Sequence, residues 1–371
     1  HPRHGQHTGH PEQQRATAQD IGGLFRHGRH GGLLLGVEHL GQVAPRCKPR
    51  ALIAAACALL LAGPATAAAA AAGHACTCAY ITNQGSHDVT VIDLDALRVV
   101  ATVPVGKAPA GVVAASRRGE VFVANAEDHS LSVIDVQRQQ VTATFPGGQG
   151  TVGLDASADG QRLFVVDWYG AALQVIDSTS RQTLVRVPLG RAPAGVAALP
   201  DGSQAWVAER DDNRVALVDV ARGEVVARVP VGVHPFALLL DIARARLYAL
   251  NVLSDNVSVI DTRTRAVIAT LPVGKAPYGA ALADQGRRLY ITNQHDDTVS
   301  VYDPDTLRPL QTLTGFGYPE GIAARGAQVV VVNWMDDNVQ VLDAASGRLI
   351  TTLATGRNPR GFGAFIGTPP P

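Results

Sequence analysis

From Ala79 onward, apolar and polar residues alternate in runs of four to eight, each run closed by Gly, Pro, Asn or Asp. A period of two puts alternate side chains on opposite faces of an extended chain, so the pattern predicts many short strands rather than long helices. One stretch shows the unit: Leu247-Tyr248-Ala249-Leu250-Asn251, then Asn256-Val257-Ser258-Val259-Ile260-Asp261, then Ala266-Val267-Ile268-Ala269-Thr270-Leu271, then Gly274-Lys275-Ala276-Pro277. The aspartate closing the middle run returns at Asp93, Asp135, Asp177, Asp219, Asp261, Asp303 and Asp343, at intervals of 42 five times and then 40. With four short strands per unit, the repeat predicts an all-β, seven-bladed β-propeller with four antiparallel strands per blade, over residues 79–366. Units start near residues 79, 121, 163, 205, 247, 289 and 329.

The phase of the repeat predicts how the ring closes. An innermost strand follows each Gly-x-x-Pro turn, as in Gly111-Val112-Val113-Ala114 and Gly195-Val196-Ala197-Ala198. The first unit opens instead at Ala79-Tyr80-Ile81-Thr82, a second strand, and so lacks an innermost one. Gly361-Phe362-Gly363-Ala364-Phe365-Ile366, after Pro359, is the C-terminal strand expected to close the first blade, leaving residues 367–371 as a tail. Closure removes the free sheet edges that would otherwise aggregate.

Tyr80-Ile81-Thr82-Asn83 and Tyr290-Ile291-Thr292-Asn293 are variants of a Tyr-Val-Thr-Asn signature. Together with Asn-x-Val-Ser-Val-Ile-Asp, Val-Gly-x-x-Pro and Asp-Gly motifs, they make the body resemble the YVTN-family (YncE-like) β-propeller repeat proteins. The resemblance covers residues 79–366 and implies a scaffold used for several tasks, including binding and, in relatives, redox chemistry. The pattern departs from the family at Gly147-Gly148-Gln149-Gly150, which lacks the proline, and at Gly315-Phe316-Gly317-Tyr318.

The segments ahead of the repeats read differently. Residues 1–45 hold seven of the twelve histidines without amphipathic period and read as an unstructured or spurious extension. In 46–67, basic Arg46, Lys48 and Arg50 precede apolar Ala51 to Leu61, a Gly63-Pro64 break and a small Ala65-Thr66-Ala67 site, the layout of a secretory signal peptide. Residues 68–78 form a short linker. Export to a bacterial periplasm or beyond is the expectation, with no transmembrane segment in the mature chain and a monomeric state. Cys76 and Cys78 would then meet an oxidising compartment and close a small disulfide or bridge chains. No Cys-x-x-Cys-His motif supports covalent haem. The whole chain balances 32 Lys+Arg against 32 Asp+Glu, and removal of the first 67 residues leaves 25 against 29, which disfavours broad nucleic-acid capture.

Positions filled alike in every unit are read as packing: Tyr80, Phe122, Phe164, Trp206, Tyr248 and Tyr290 as core aromatics, the seven aspartates as caps of the following turn. Function is sought where the units differ, in the loops gathered at one mouth of the central channel. Ahead of the innermost strands, the residue after glycine is Lys107, Gln149, Arg191, Val233, Lys275, Phe316 or Arg357. Lys107 and Lys275 are the only lysines after residue 67. The second strands end at Asn83, Asn125, Asp167, Glu209, Asn251, Asn293 and Asn333, with Trp168 and Trp334 one residue further on. The candidate ligand-binding set is therefore Lys107, Arg191, Lys275, Arg357, Asn83, Asn125, Asp167, Trp168, Glu209, Asn251, Asn293, Asn333 and Trp334. Cations would hold carboxylate or phosphate, and indole faces would stack on rings or bases. His87, His129, His234 and His295 are scattered over loops in no metal or catalytic motif and read as solvated.

The favoured reading is an exported, non-catalytic propeller that binds a small anionic or aromatic ligand, or a protein partner, at the mouth of its channel. It expects no cofactor, no metal and no catalytic residue. The competing readings are a propeller enzyme or accessory subunit of a periplasmic redox enzyme, dehydrogenase-like or lactonase-like; a binder of single-stranded nucleic acid; and a surface structural or adhesion protein.

Overall fold

The computed structural model describes residues 76–370, and the extension and signal segment expected over 1–67 lie outside the described residues. Seven four-stranded antiparallel sheets follow one another along the chain. Blade 2 is typical: an inner strand Pro109–Ala115, a second strand Glu120–Asn125, a third Ser130–Asp135 and an outer Gln140–Pro146. The second and third strands are almost wholly buried, whereas the outer strand alternates between exposed and half-buried residues. That gradient follows from the sequence: β-branched and aromatic residues fill the strands that neighbouring blades cover, and polar residues enter where one side faces water.

The core lies between blades. Tyr80, Phe122, Phe164, Trp206, Tyr248 and Tyr290 are all buried, each in the same register of a second strand. Full burial of such side chains contributes roughly 1.5–3 kcal/mol apiece. The closing aspartates do what their position predicts: Asp93 Oδ1 accepts the N–H groups of Asp95 and Ala96, and Asp261 Oδ1 those of Arg263 and Thr264.

The first blade is completed from the other end of the chain, since Ile366–Gly367 pairs with Ala79 and Cys78 of the strand Cys78–Asn83. The closing segment is less regular than its alternation suggests. The Arg360 N–H donates to Thr82 O at 2.8 Å and the Tyr80 N–H to Phe365 O at 2.9 Å, but between them Val112 and Ala114 of blade 2 donate to Phe362 O and Ala364 O. Gly361 and Gly363 have φ of +60° and +123°, and a Cβ on Gly363 would lie 2.3 Å from Val112 O. Only glycine permits both this conformation and this approach. The segment therefore leaves the ladder and carries Phe362 across the axis of the ring. Beside the seam Cys76 and Cys78 are joined by a disulfide, their Cα atoms 5.4 Å apart.

Candidate functional site

Two loop sets share one face of the disc: those leading into the inner strands and those joining second to third strands. Backbone donors tie them together. The N–H of Lys107 donates to Asp128 Oδ2 and that of Lys275 to Asp296 Oδ2, both at 2.6 Å, while that of Arg191 reaches Asp212 Oδ2 at 3.1 Å and that of Arg357 reaches Ser86 Oγ at 3.0 Å. The next residue is left-handed although not glycine, with φ of +49° at Ala108, +46° at Ala192 and +54° at Ala276. Its N–H is held from the preceding blade, Ala108 by His87 Nδ1 at 3.1 Å and Ala276 by Asp255 Oδ1 at 2.9 Å. A costly backbone conformation persists because two loops over-determine it. His87, Asp128, Asp255 and Asp296 thus have structural work in these loops.

The residues ending the second strands lie below this layer, wholly buried or nearly so. Asn125 Nδ2 donates to Ser130 Oγ at 3.0 Å and Ser132 Oγ at 2.9 Å. Asn83, Asn251, Asn293 and Asn333 make the same kind of bond to Thr90, Ser258, Ser300 and Asn338 of their third strands. Asp167 accepts the N–H groups of Gln149, Gly150 and Gly170. Glu209 receives the Gly190 N–H at 2.6 Å and the guanidinium groups of Arg228 and Arg214. Burial would raise the Glu209 carboxyl, but the two arginines and the N–H outweigh it and hold the group below the usual carboxylate range. All seven side chains are engaged inside their blades rather than displayed at the mouth.

The four loop cations are exposed. Arg191 is paired with Asp212 at 2.8 Å, and Arg357 donates to Gly85 O at 2.9 Å. Lys107 and Lys275 share a face but lead into blades 2 and 6, three of the seven ring positions apart.

What occupies the mouth is a plug. The residue after each lead-in proline, or after Thr151 in blade 3, points toward the axis: Ala110, Val152 and Ala194 in three blades, then Phe236, Tyr278, Glu320 and Arg360 in the next four, all buried. Arg360 Nη1 lies 3.2 Å from Glu320 Oε2 and donates to Tyr278 Oη at 3.0 Å; Arg360 Nε donates to Gln84 Oε1 at 2.8 Å, and Gln294 Nε2 to Glu320 Oε1 at 2.7 Å. Phe236 lies 4.6 Å from the Tyr278 ring, 5.0 Å from Phe362 and 6.2 Å from Trp168. Burial pushes the Glu320 carboxyl up to about 7 despite the opposing pull of Arg360 and Gln294. It pushes the Tyr278 phenol far up as well.

The tryptophans belong to this interior. Trp168 is buried against Phe236 with the Arg210 guanidinium 5.5 Å over its ring, and half-buried Trp334 packs on Tyr318, which in turn contacts His295. The residues displayed are one position further along. Tyr169, Leu253 and Met335 are 58, 59 and 63% exposed, and they occupy one register, two residues past Asp167, Asn251 and Asn333. Val233, also exposed, adjoins Leu253, whose N–H donates to Val233 O. Sequence reasoning passed over these tips because it stopped at the tryptophans; the signal was large apolar residues at a turn tip, where solvation favours polar ones. Among the described residues no three His, Cys, Asp or Glu side chains gather as metal ligands would. No helix among them is long and apolar enough to cross a membrane.

A family model described as YNCE-like beta-propeller matches residues 113–201. Over that stretch the repeat is similar to that of the YncE-like β-propellers. The matched stretch takes in most of blade 2, all of blade 3 and the inner strand of blade 4, and the same four-stranded arrangement recurs in all seven sheets. Among solved structures, a functionally unknown protein from Desulfotomaculum acetoxidans DSM 771 is similar at 15% identity and a TM-score of 0.68, over 79% of this chain and 99% of that one. Kuenenia stuttgartiensis hydrazine synthase is similar at 22% identity and a TM-score of 0.64, over 72% of this chain and 92% of that one. At such identities the likeness is one of fold. No curated protein matches the chain.

Proposed function

We propose that this YncE-like propeller is an exported, non-catalytic docking module that binds a protein partner on its loop face. The observation that carries the reading is the rim: the three most exposed large apolar side chains of the described residues stand on equivalent loop tips around a mouth that side chains already fill. Exposed aromatic, Leu and Met side chains on rigid supports are what protein interfaces bury at their centres, and fixed loops lose little ordering entropy on binding. A small anionic ligand is served less well, because Arg191 is neutralised by Asp212 and the two lysines stand almost across the ring from each other. Export rests on the signal-like segment 46–67.

The test places a photo-crosslinking residue at Leu253 or Met335 on the rim, at Leu184 on an outer strand, and at Ile242 on the opposite face, in cells making the protein at native level. A discrete adduct from the rim positions alone supports docking. Equal adducts from all four, or none from the rim, would contradict it.

A further inference from the structure

Below the plug the channel opens again. A cavity of about 470 Å³ runs along the inner strands of blades 3 to 7. Its lining includes Pro200 and exposed Ile242, which lie in the turns beyond the inner strands, so it reaches the face opposite the loops. Leu154, Val196, Leu238, Leu240, Ile322 and Phe362 make its walls apolar, and Asp155 is the one ionisable residue in the lining. In the other blades that register holds Val113, Ala197, Leu239, Ala281, Ala323 and Gly363. The carboxylate accepts the Ala198 N–H on Oδ2 and the Ala156 N–H on Oδ1, each at 2.8 Å, and no cation pairs with it among the described residues.

A carboxyl held among apolar walls with two amide donors and no counter-charge is poorly solvated in its ionised form, and burial pushes it up to about 6. An apolar concavity with one oriented polar group is the usual form of a small-molecule site. A ligand bringing a positive charge and an apolar body would supply both things the cavity lacks.

We propose that this funnel binds a small organic cation, an amine on an apolar body, with its ammonium on Asp155 and its body along Leu238, Leu240 and Ile322. The site is separate from the rim, and its failure would leave the docking reading untouched. Octylammonium, octanol and octanoate are the probes, titrated calorimetrically against the full propeller. Octylammonium should bind saturably and at least about tenfold more tightly than octanol, the increment of a charge-assisted bond, and octanoate most weakly. Asp155→Asn removes the charge and keeps one acceptor for the two amide donors, since its Nδ2 cannot accept the other N–H; it should bring octylammonium down to the octanol affinity and leave octanol unchanged. Ala280→Phe, which fills the channel, should weaken both. Lowering the pH through about 6 should weaken octylammonium alone, because the protonated carboxyl carries no charge. Octanoate binding as well as octylammonium, or no saturable octylammonium binding, would overturn the proposal on the wild-type protein alone, whatever the variants do.

Discussion

The two ends of the central channel are built from the same inner strands and come out opposite in character. At the loop end, four consecutive blades place Phe236, Tyr278, Glu320 and Arg360 at the residue after the proline, and Phe362 and Gln84 fill the remaining space. Two residues later the same strands carry Leu238, Ala280, Ile322 and Phe362, and four residues later Leu240, Leu282, Ala324 and Ala364, and a cavity remains. A seven-fold ring leaves an axial hole by geometry alone; which end is stoppered depends on a few side chains that do not repeat. Large buried groups close one end and tie the C-terminal segment to blades 1, 6 and 7, so the plug is also the clasp of the ring.

The largest effect should come from breaking the clasp. Deleting residues 358–371 removes Arg360, Phe362 and the strand that completes blade 1, and should abolish cooperative melting by circular dichroism; a soluble truncation with a sharp transition would separate the plug from ring closure. Next, Arg360→Met alone leaves Glu320 buried without its cation and should cost about 3–5 kcal/mol in chemical denaturation, whereas Arg360→Met combined with Glu320→Leu should recover most of it. Equal losses in the single and double variants would mean that the charges contribute nothing as a pair.

A smaller effect links both ends through pH. Glu320 and Asp155 are raised to about 7 and about 6, so the folded protein holds protons that the unfolded chain has released. Their contribution is complete below the ordinary carboxylate range and is lost as pH rises through 6 and 7. Thermal midpoints should therefore fall between pH 5 and 8, with Glu320→Gln removing the steeper part and Asp155→Asn the part at lower pH. Smallest of all, Leu253→Ser and Met335→Ser should each change stability by less than about 0.5 kcal/mol, since these tips are mostly exposed in the free protein; a large loss would place them in the core rather than on a docking rim.

The sequence carried the ring well and the mouth poorly, for one physical reason. Packing inside a repeat is periodic, so the register of Tyr80, Trp206 and Tyr290, the aspartate caps and the missing inner strand of blade 1 all stood out at a spacing of 42 residues. The mouth depends on which way a loop residue turns. Trp168 and Asn125 are buried beside the loops: Asn125 donates to Ser130 and Ser132 of its own third strand, and the Trp168 N–H donates to Gly150 O of the lead-in loop. The post-proline residues carry their own signal, since Arg360 and Glu320 are charges in a register otherwise filled by Ala, Val, Phe and Tyr. Asp155 carried the same signal, a single acid among Val, Ala, Leu and Gly. In a repeat protein the non-matching residue within a strand is as informative as the variable loop.

The asymmetry of the channel can be tested by the reactivity of single cysteines. Ala194 and Ala110 lie at plug level and are buried, while Ala280 lines the open cavity. With each replaced by cysteine and the unmodified protein as reference for native thiols, Ala280→Cys should react with a bulky maleimide in the folded protein, and Ala194→Cys and Ala110→Cys only on unfolding. Ready labelling of the plug-level positions, or protection of Ala280→Cys, would contradict a channel closed at the loop face and open at the other.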